Sequence, residues 1–392
     1  VSALGHLRVL DLSRVRAGPS CARIFADFSA DVIKIEAPPG KDPNEGMTGP
    51  RDGPDMQNLH RSKRSLALDL KDQRGKEILM RLVAGADLVI ENFRPGVMDR
   101  LGFSWRTLAE ANPRLVLVSI SGFGEDGPLA DRPGFDQIVQ GMGGLMSVTG
   151  LPGHGPVRAG IAVADLAAGL YGAIGALVAL AERERSGRGQ WVRTSLLEAQ
   201  IALMDFQAAR WLVAGEVPGQ AGNEHPVSVP TGVARTRDGH LNLGVAGDGQ
   251  WRDLCGVLER PDLAADPRFT TVARRLENRV LVWEILNEEF ARADTTTWID
   301  RLAAARVPAG PIYRLDEVFA DPQVVHSRIA QPISHPRLGE IALVGVPLRL
   351  DRTPPQVRWP TPDSGADTDA VLSELGLTGE EIAKLRADLV VA

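Results

Sequence analysis

Leu7–Glu36 reads LRVLDLSRVRAGPSCARIFADFSADVIKIE, and its two apolar runs decide the fold. Leu7–Leu12 (LRVLDL) has the continuous apolar character of a buried strand. Ala17-Gly18-Pro19 then turns the chain into an amphipathic helix over Ser20–Phe28, and Ala30–Glu36 (ADVIKIE) is a second strand. The same alternation continues downstream. Ser65–Leu70 is a third strand with a helix over Gly75–Ala84 after it, Asp87–Glu91 is a fourth, and Leu115–Ile120 (LVLVSI) a fifth. Short apolar runs alternating with helical patterns at this spacing predict an α/β fold built on a doubly wound, mainly parallel sheet.

In such sheets ligands bind beyond the carboxyl ends of the strands. Those ends deliver Ser13–Arg16, Glu91–Arg94 and Ser121–Gly124. No GxGxxG follows the first strand and no Walker A pattern occurs, so a dinucleotide site has only weak support. Ala37–Pro54 is a Pro/Gly-rich loop without evident regular structure. A helix is expected from near Ala162–Asp165 to about Glu184, a strand over Gln190–Thr194, and a further helix over Ser195–Ala214. Residues 215–230 read as a linker into a smaller domain over 231–330, with a strand at Gly239–Val245 and three helical segments after it. His335–Arg349 has hairpin-like alternation, and Thr378–Leu385 is a closing helix.

One acid stands apart. Asp165 is the only charged residue in the run Ile161–Ala181, which begins inside VRAGIAVADLAAGL (Val157–Leu170). A buried carboxylate is costly unless a dipole or hydrogen bonds hold it, and the free N–H groups of a helix's first turn supply that. Two readings follow from the residues alone: a capping acid on a buried helix, or a desolvated carboxylate nucleophile beside a ligand.

The composition narrows the partners. The 392 residues carry 44 Lys and Arg against 50 Asp and Glu, a formal charge of −6 that gives no electrostatic case for nucleic acid or an anionic membrane. Cys21 and Cys255 stand too far apart to suggest a metal motif or a disulfide framework, which fits the cytoplasm, and the seven histidines form no HxxxH pair. No metal site is expected. VSALGHLRVLDLS lacks the regions of a signal peptide. Ile161–Ala181 has the length of a membrane span, yet its glycines, alanines and Asp165 favour a buried helix.

The order of motifs along nearly the whole chain resembles the class III CoA-transferase family, which also contains α-methylacyl-CoA racemase. The likeness is carried by LRVLDLSRVRAGP (Leu7–Pro19), ADVIKIEAP (Ala30–Pro38), KRSLALDLKD (Lys63–Asp72), ADLVIENFRPGVMDRLG (Ala86–Gly102) and SISGFGEDGP (Ser119–Pro128). PGFDQIVQGMGGLMSVTG (Pro133–Gly150), the Asp165 stretch, GNEHP (Gly222–Pro226), DPRF (Asp266–Phe269), PAGPI (Pro308–Ile312) and DPQV (Asp321–Val324) continue it. The resemblance implies a Rossmann-like large domain over 1–214 completed by 331–392, a smaller α+β domain, and an interlocked homodimer. It places Asp165 at the catalytic aspartate, and Val15, Asn92, Phe93, Val97, Met98 and Arg100 where the family grips CoA. Coenzyme A is then substrate and product, with no tightly bound cofactor, and the partners are acyl-CoA and carboxylic acids.

Departures from the family pattern refine this. Ala37 replaces an arginine found in some members, and His60-Arg61 stands where an Asn-Arg pair is common. Arg16 stands where an oxalate-specific relative has glutamine, and the stretch after Gly222 has no GGGG run. These differences argue against oxalate and formyl-CoA and bring the chain closer to the branch handling dicarboxylic acids such as succinate. Arg16 is then a candidate for the distal carboxylate of a dicarboxylic substrate, with a solvated arginine or a CoA phosphate contact as its alternatives. The expected reaction is CoA transfer through an aspartyl anhydride and an aspartyl-CoA thioester. Backbone N–H groups near Gly143 and Gly144 are candidates for the oxyanions, against a plain glycine turn. A 2-methylacyl-CoA racemase and a non-catalytic acyl-CoA-binding protein are the alternatives. Against the former, Phe135 occupies the place of that branch's proton-transferring histidine.

Overall fold

The computed structural model describes residues 2–42, 46–47 and 49–392. Among these, six strands form one parallel sheet: β1 (Arg8–Asp11), β2 (Asp31–Glu36), β3 (Arg64–Ala67), β4 (Leu88–Glu91), β5 (Val116–Ser121) and β6 (Trp191–Ser195). Their order is β3-β2-β1-β4-β5-β6, with every neighbouring pair parallel. This is a Rossmann-like arrangement, and the strand order reverses between β1 and β4, which marks the ligand crevice.

Strand periodicity builds two cores. Val9, Leu88, Ile90, Val116, Val118 and Ile120 face one side of the sheet, while Leu10, Val89 and Leu117 face the other. Helices cover both faces because apolar residues on both would otherwise meet water. The helices of this part of the chain are α1 (Ala17–Asp27), α2 (Pro54–His60), α3 (Gln73–Ala84), α4 (Val97–Leu101), α5 (Trp105–Ala111), α6 (Asp136–Met142), α7 (Leu145–Val148), α8 (Val163–Ser186), α9 (Leu196–Leu203) and α10 (Asp205–Ala214). Helices α1 and α8 close the first core; α3, α5 and the C-terminal helices Thr368–Glu374 and Gly379–Ala387 close the second. The C-terminal segment is also tied to β3, where Asp367 accepts the Ser65 N–H at 2.8 Å.

The strands and long helices fall within a few residues of their expected places. Three short-range features differ. The helix expected over Ser195–Ala214 is two helices that meet at Met204–Asp205, where Asp205 takes a left-handed φ of 43°. The Pro/Gly-rich loop Ala37–Pro54 runs into α2, whose Pro54 opens it; Pro43–Glu45 and Thr48 lie outside the described residues. The C-terminal hairpin begins earlier than expected, as β10 (Ala330–His335) and β11 (Gly339–Val344) after the strands of the smaller unit.

The chain divides into two compact units. The larger runs to Leu145 and takes up Arg158–Glu216 and Val325–Ala392; the smaller comprises Met146–Val157 and Val217–Val324. Met146–Val157 thus groups with the smaller unit, whereas the resemblance implies a large domain over 1–214. Its backbone is bound to the second segment instead: Gly222 donates to the Gly150 carbonyl at 3.0 Å, and Gln220 donates to the Thr149 carbonyl at 2.7 Å. The smaller unit holds the antiparallel sheet β7 (Thr231–Arg235), β8 (His240–Gly244) and β9 (Ala309–Pro311), packed on its own helices around Trp251, Leu254, Trp283 and Phe290.

Helix α8 is long and apolar enough to cross a bilayer by composition. Within this chain one side of it is buried through Ala164, Ala168, Gly172 and Ala176, and Arg183 on that side pairs with Asp87 at 2.9 Å. Gly169 is required there, since a Cβ would stand 2.7 Å from the Ala17 carbonyl of α1.

Candidate active site

A cleft of about 920 Å³ opens at the carboxyl ends of the parallel strands. Its wall is made by the loops after β1, β2, β4 and β5 and by Asp165 of α8. Two of the loops are locked together by one side chain. The Asn92 amide accepts the Arg14 N–H at 2.7 Å and donates to the Arg14 carbonyl at 2.7 Å. Val15, the residue after this clamp, holds φ 61°, a strained value for a β-branched residue. Opposite, Gly122 and Gly134 cross so closely that a Cβ on either would meet the other's Cα at 2.8 Å. That contact brings the Arg132–Phe135 segment to the cleft wall.

A buried polar floor fixes the β1 loop from below. Lys63 donates to Asp11 at 2.7 Å, Asp11 accepts the Ser13 N–H at 3.0 Å, and Lys34 donates to the Ser13 carbonyl at 2.7 Å. Burial opposes the charge on Asp11, but Lys63 and Lys34 hold its carboxyl far below the usual range. Burial, then the same lysines, keep His60 neutral. Under the β4 loop Glu91 accepts the Phe93 N–H at 2.8 Å, and burial pushes its carboxyl up to about 7.

Asp165 is the third residue of α8, one turn before Gly169 and on the same side of the helix. The tight packing of Gly169 on Ala17 therefore brings Asp165 to the start of α1, beside Arg16. Its carboxylate accepts no hydrogen bond from the described residues, although it is largely withdrawn from water. Burial, and then the like charge of Asp136, push its pKa up to about 6, with Arg16 opposing. Here burial outweighs the helix dipole, which alone would keep the acid strong. A half-buried ionised carboxylate without hydrogen-bond partners is more basic and less shielded than one in water, the state that favours attack on a carbonyl carbon.

The other candidates divide. Val15, Arg16, Asn92, Phe93, Val97 and Phe135 line the same cleft as Asp165. Met98 is instead a core residue packed with the second cluster, and Arg100 is exposed beside Gly96 outside the cleft. Gly143 and Gly144 do not line it either. Gly143 donates to the Val139 carbonyl at 2.7 Å and the Gly144 N–H stands 3.4 Å from the Gly141 carbonyl, the pattern of a plain glycine turn. Arg16 pairs with Asp55 of α2. The Arg14 guanidinium lies 5.6 Å from the Phe93 ring centroid and pairs with Asp42 at 3.0 Å.

Several lining cations were not singled out as candidates from the sequence. Lys41 and Arg51 are paired to Asp69 and Glu36, but Lys71, Arg94 and Arg132 form no ion pair among the described residues. Arg94 at a strand end and Lys71 within KRSLALDLKD were visible positions; only the closure of the β2, β3 and β4 loops brings them to one cleft. The described residues contain no cluster of metal-ligating side chains.

A family model described as CoA-transferase family III matches residues 4–368. A succinate–glutarate CoA-transferase of Agrobacterium fabrum is 38% identical over 381 residues, covering 95% of each chain. A succinyl-CoA–D-citramalate CoA-transferase of Chloroflexus aurantiacus is 36% identical over 400 residues, covering 99% of this chain and 98% of that one. The crystal structure of a CaiB/BaiF family protein from Brucella suis superposes with a TM-score of 0.84 at 34% identity, covering 95% of this chain and 99% of the other.

Proposed function

The chain belongs to CoA-transferase family III and is a CoA-transferase, and from that premise we propose that it moves CoA from a dicarboxylyl thioester such as succinyl-CoA to a second carboxylic acid, with Asp165 as nucleophile. The observation that carries this reading is the Asp165 carboxylate, half-buried and without a hydrogen bond among the described residues, at the wall of a cleft also lined by Lys71, Arg94 and Arg132. The named activities of the Agrobacterium and Chloroflexus relatives support a succinyl donor.

The steps balance without ATP, since one thioester is broken and one made. An Asp165 oxygen attacks the acyl-CoA carbonyl carbon, the C–S bond breaks, and CoA thiolate leaves a mixed anhydride. The thiolate attacks the Asp165 carbonyl carbon of that anhydride, the C–O bond to the donor acyl group breaks, and the donor leaves as a carboxylate. Residue 165 now carries CoA as a thioester. The acceptor carboxylate attacks that thioester, re-forming an anhydride and freeing thiolate. Thiolate attack on the acceptor carbonyl then yields the new acyl-CoA and the Asp165 carboxylate. No net proton moves, so holding the partners close in a dry cleft is the main contribution of the protein.

Lys71, Arg94 and Arg132 offer charge for the CoA phosphates, and Val15, Phe93 and Val97 offer apolar contact. Arg16 has the fork of donors suited to the distal carboxylate of the acid. We further propose a homodimer, on the apolar side chains that α8 and the α9–α10 pair leave exposed, among them Tyr171, Ile174, Val178, Phe206 and Trp211. The buried free thiols Cys21 and Cys255 fit the reducing cytoplasm.

The test is mass spectrometry of enzyme given succinyl-CoA without acceptor and then quenched. Residue 165 is expected to gain the mass of CoA; borohydride should reduce that thioester and inactivate the enzyme irreversibly. An Asp165→Asn variant with near-normal turnover refutes the mechanism. Racemisation instead requires proton carriers on both faces of the α-carbon, and Phe135 at the cleft wall cannot carry a proton. Exchange of the α-proton of 2-methylacyl-CoA for deuterium at a catalytic rate would favour that reading. Tight CoA binding without transfer for any acid pair would favour a binding protein.

A further inference from the structure

Helix α8 starts without a cap of its own. Its N-cap is Ala162, which has no side-chain acceptor for the free N–H groups of the first turn. The missing acceptor comes from α6. Asp136, the first residue of that helix and buried, accepts the Ala164 N–H at 2.9 Å. Gln140, four residues on and fully buried, completes the attachment. Its amide nitrogen donates to Asp136 at 2.6 Å and to the Ile161 carbonyl at 3.0 Å, while its oxygen accepts the Ala159 N–H at 2.8 Å. Residues 159, 161 and 164 are thereby bound at three points to one neighbouring helix.

We propose that Asp136 and Gln140 are positioning residues for Asp165: α6 supplies the cap that α8 lacks, fixing the aim of the nucleophile and holding a like charge beside it. The inference rests on Asp165 being the nucleophile. Neither residue reaches the cleft through a pairing of its own with a ligand; Asp136 and Gln140 are absent from its lining, and their polar atoms are spent on the approach to α8. The charged groups around Asp165 are Asp136 from α6 and Arg16 from the loop before α1. Arg16 is partly neutralised by Asp55 of α2, and Arg158 stands 3.6 Å from Asp136. Asp136→Asn removes the charge and keeps the oxygen that caps Ala164, while its amide nitrogen replaces the oxygen that accepts from Gln140, so the Asp165 midpoint, and not kcat, is its diagnostic readout.

The experiment follows the ionisation of Asp165 directly, by carboxyl-carbon NMR on aspartate-labelled enzyme, with Asp165→Asn identifying the resonance. In Asp136→Asn the Asp165 midpoint should fall by about half a pH unit or more, and the acidic limb of the kcat/KM profile should move with it. In Gln140→Leu, where two loop attachments are lost, kcat should fall roughly tenfold or more while KM for acyl-CoA stays within about twofold. An unchanged Asp165 midpoint in Asp136→Asn overturns the electrostatic role. A normal kcat in folded Gln140→Leu overturns the positioning role, and should that variant not fold, Gln140→Glu, which keeps the acceptor for Ala159, takes its place with the same criterion. The titration requires no turnover, so it judges this proposal even if the wild-type enzyme transfers no CoA, a result that would refute the function proposed above instead.

Discussion

Asp165→Asn keeps the shape of the side chain and removes its charge from a place where burial disfavours it. The folded state raises the pKa of this acid from the ordinary 3.8 to about 6. The sign follows from linkage: a carboxyl that binds its proton more tightly when folded lowers stability as pH rises from the unfolded pKa to the folded one. The penalty is absent below about pH 4 and complete above about pH 7. At about 1.4 kcal/mol per pH unit, that displacement corresponds to about 3 kcal/mol. Partial exposure of the side chain reduces it by solvent screening, and asparagine forfeits the ~0.3–1 kcal/mol that a first-turn carboxylate gains from the helix dipole. A net gain of roughly 1–3 kcal/mol at pH 7.5 remains. For a chain of 392 residues that raises Tm by roughly 1–5 °C, at about 1–2 °C per kcal/mol. Scanning calorimetry of both proteins at pH 4.5, 6 and 7.5, at one fixed protein concentration, measures it. The variant should melt close to the wild type at the lowest pH and progressively higher as pH rises, while losing nearly all transfer. A variant less stable than wild type at pH 7.5, or a gap that does not change with pH, would refute the view of Asp165 as a destabilised nucleophile and restore the capping acid.

Three further outcomes are expected. Transfer requires ionised Asp165, so kcat/KM should fall as pH drops through about 6, in an assay at saturating acceptor; a profile flat to pH 5 contradicts the assigned nucleophile. Arg16→Gln should raise KM for dicarboxylates by roughly tenfold or more and leave monocarboxylates little changed, as read by steady-state kinetics on paired acids. An equal loss on both classes, or lost CoA affinity alone, assigns Arg16 to the phosphates. Asn92→Ala removes both hydrogen bonds to the Arg14 backbone, at a cost of about 1–3 kcal/mol, and should weaken CoA binding measured by calorimetry far more than it lowers Tm; unchanged CoA affinity shows that the β1 loop holds its shape without the clamp.

The fold was legible because its causes are local and repeated. Each central strand is a short apolar run between turn signals, and burial on both faces leaves that run unbroken, as in LVLVSI before Ser121. Asp165 stood out for the converse reason, as one charge in a stretch that otherwise excludes charge, although only the family resemblance, and not the local pattern, favours a nucleophile over a capping acid. What could not be read depends on chain segments distant in sequence. For Gly143 and Gly144 the sequence left an oxyanion role open beside the plain glycine turn, and the choice depends on the helix before them, whose Val139 and Gly141 carbonyls face their N–H groups. Met98 lies one residue from the cleft-lining Val97, and a helix turns neighbours through about 100°, so one faces the ligand crevice while the other joins the core. Asp136 and Gln140 show the limit most clearly. In FDQIVQG their spacing signals only two polar residues on one side of a short helix. Their role exists because Ala162 cannot cap α8, and a cap supplied from 28 residues away leaves no mark in the local sequence of either helix. The pKa of Asp165 is set the same way: the dipole is local and was anticipated, while the burial and the like charge that overcome it come from elements the sequence does not place beside it.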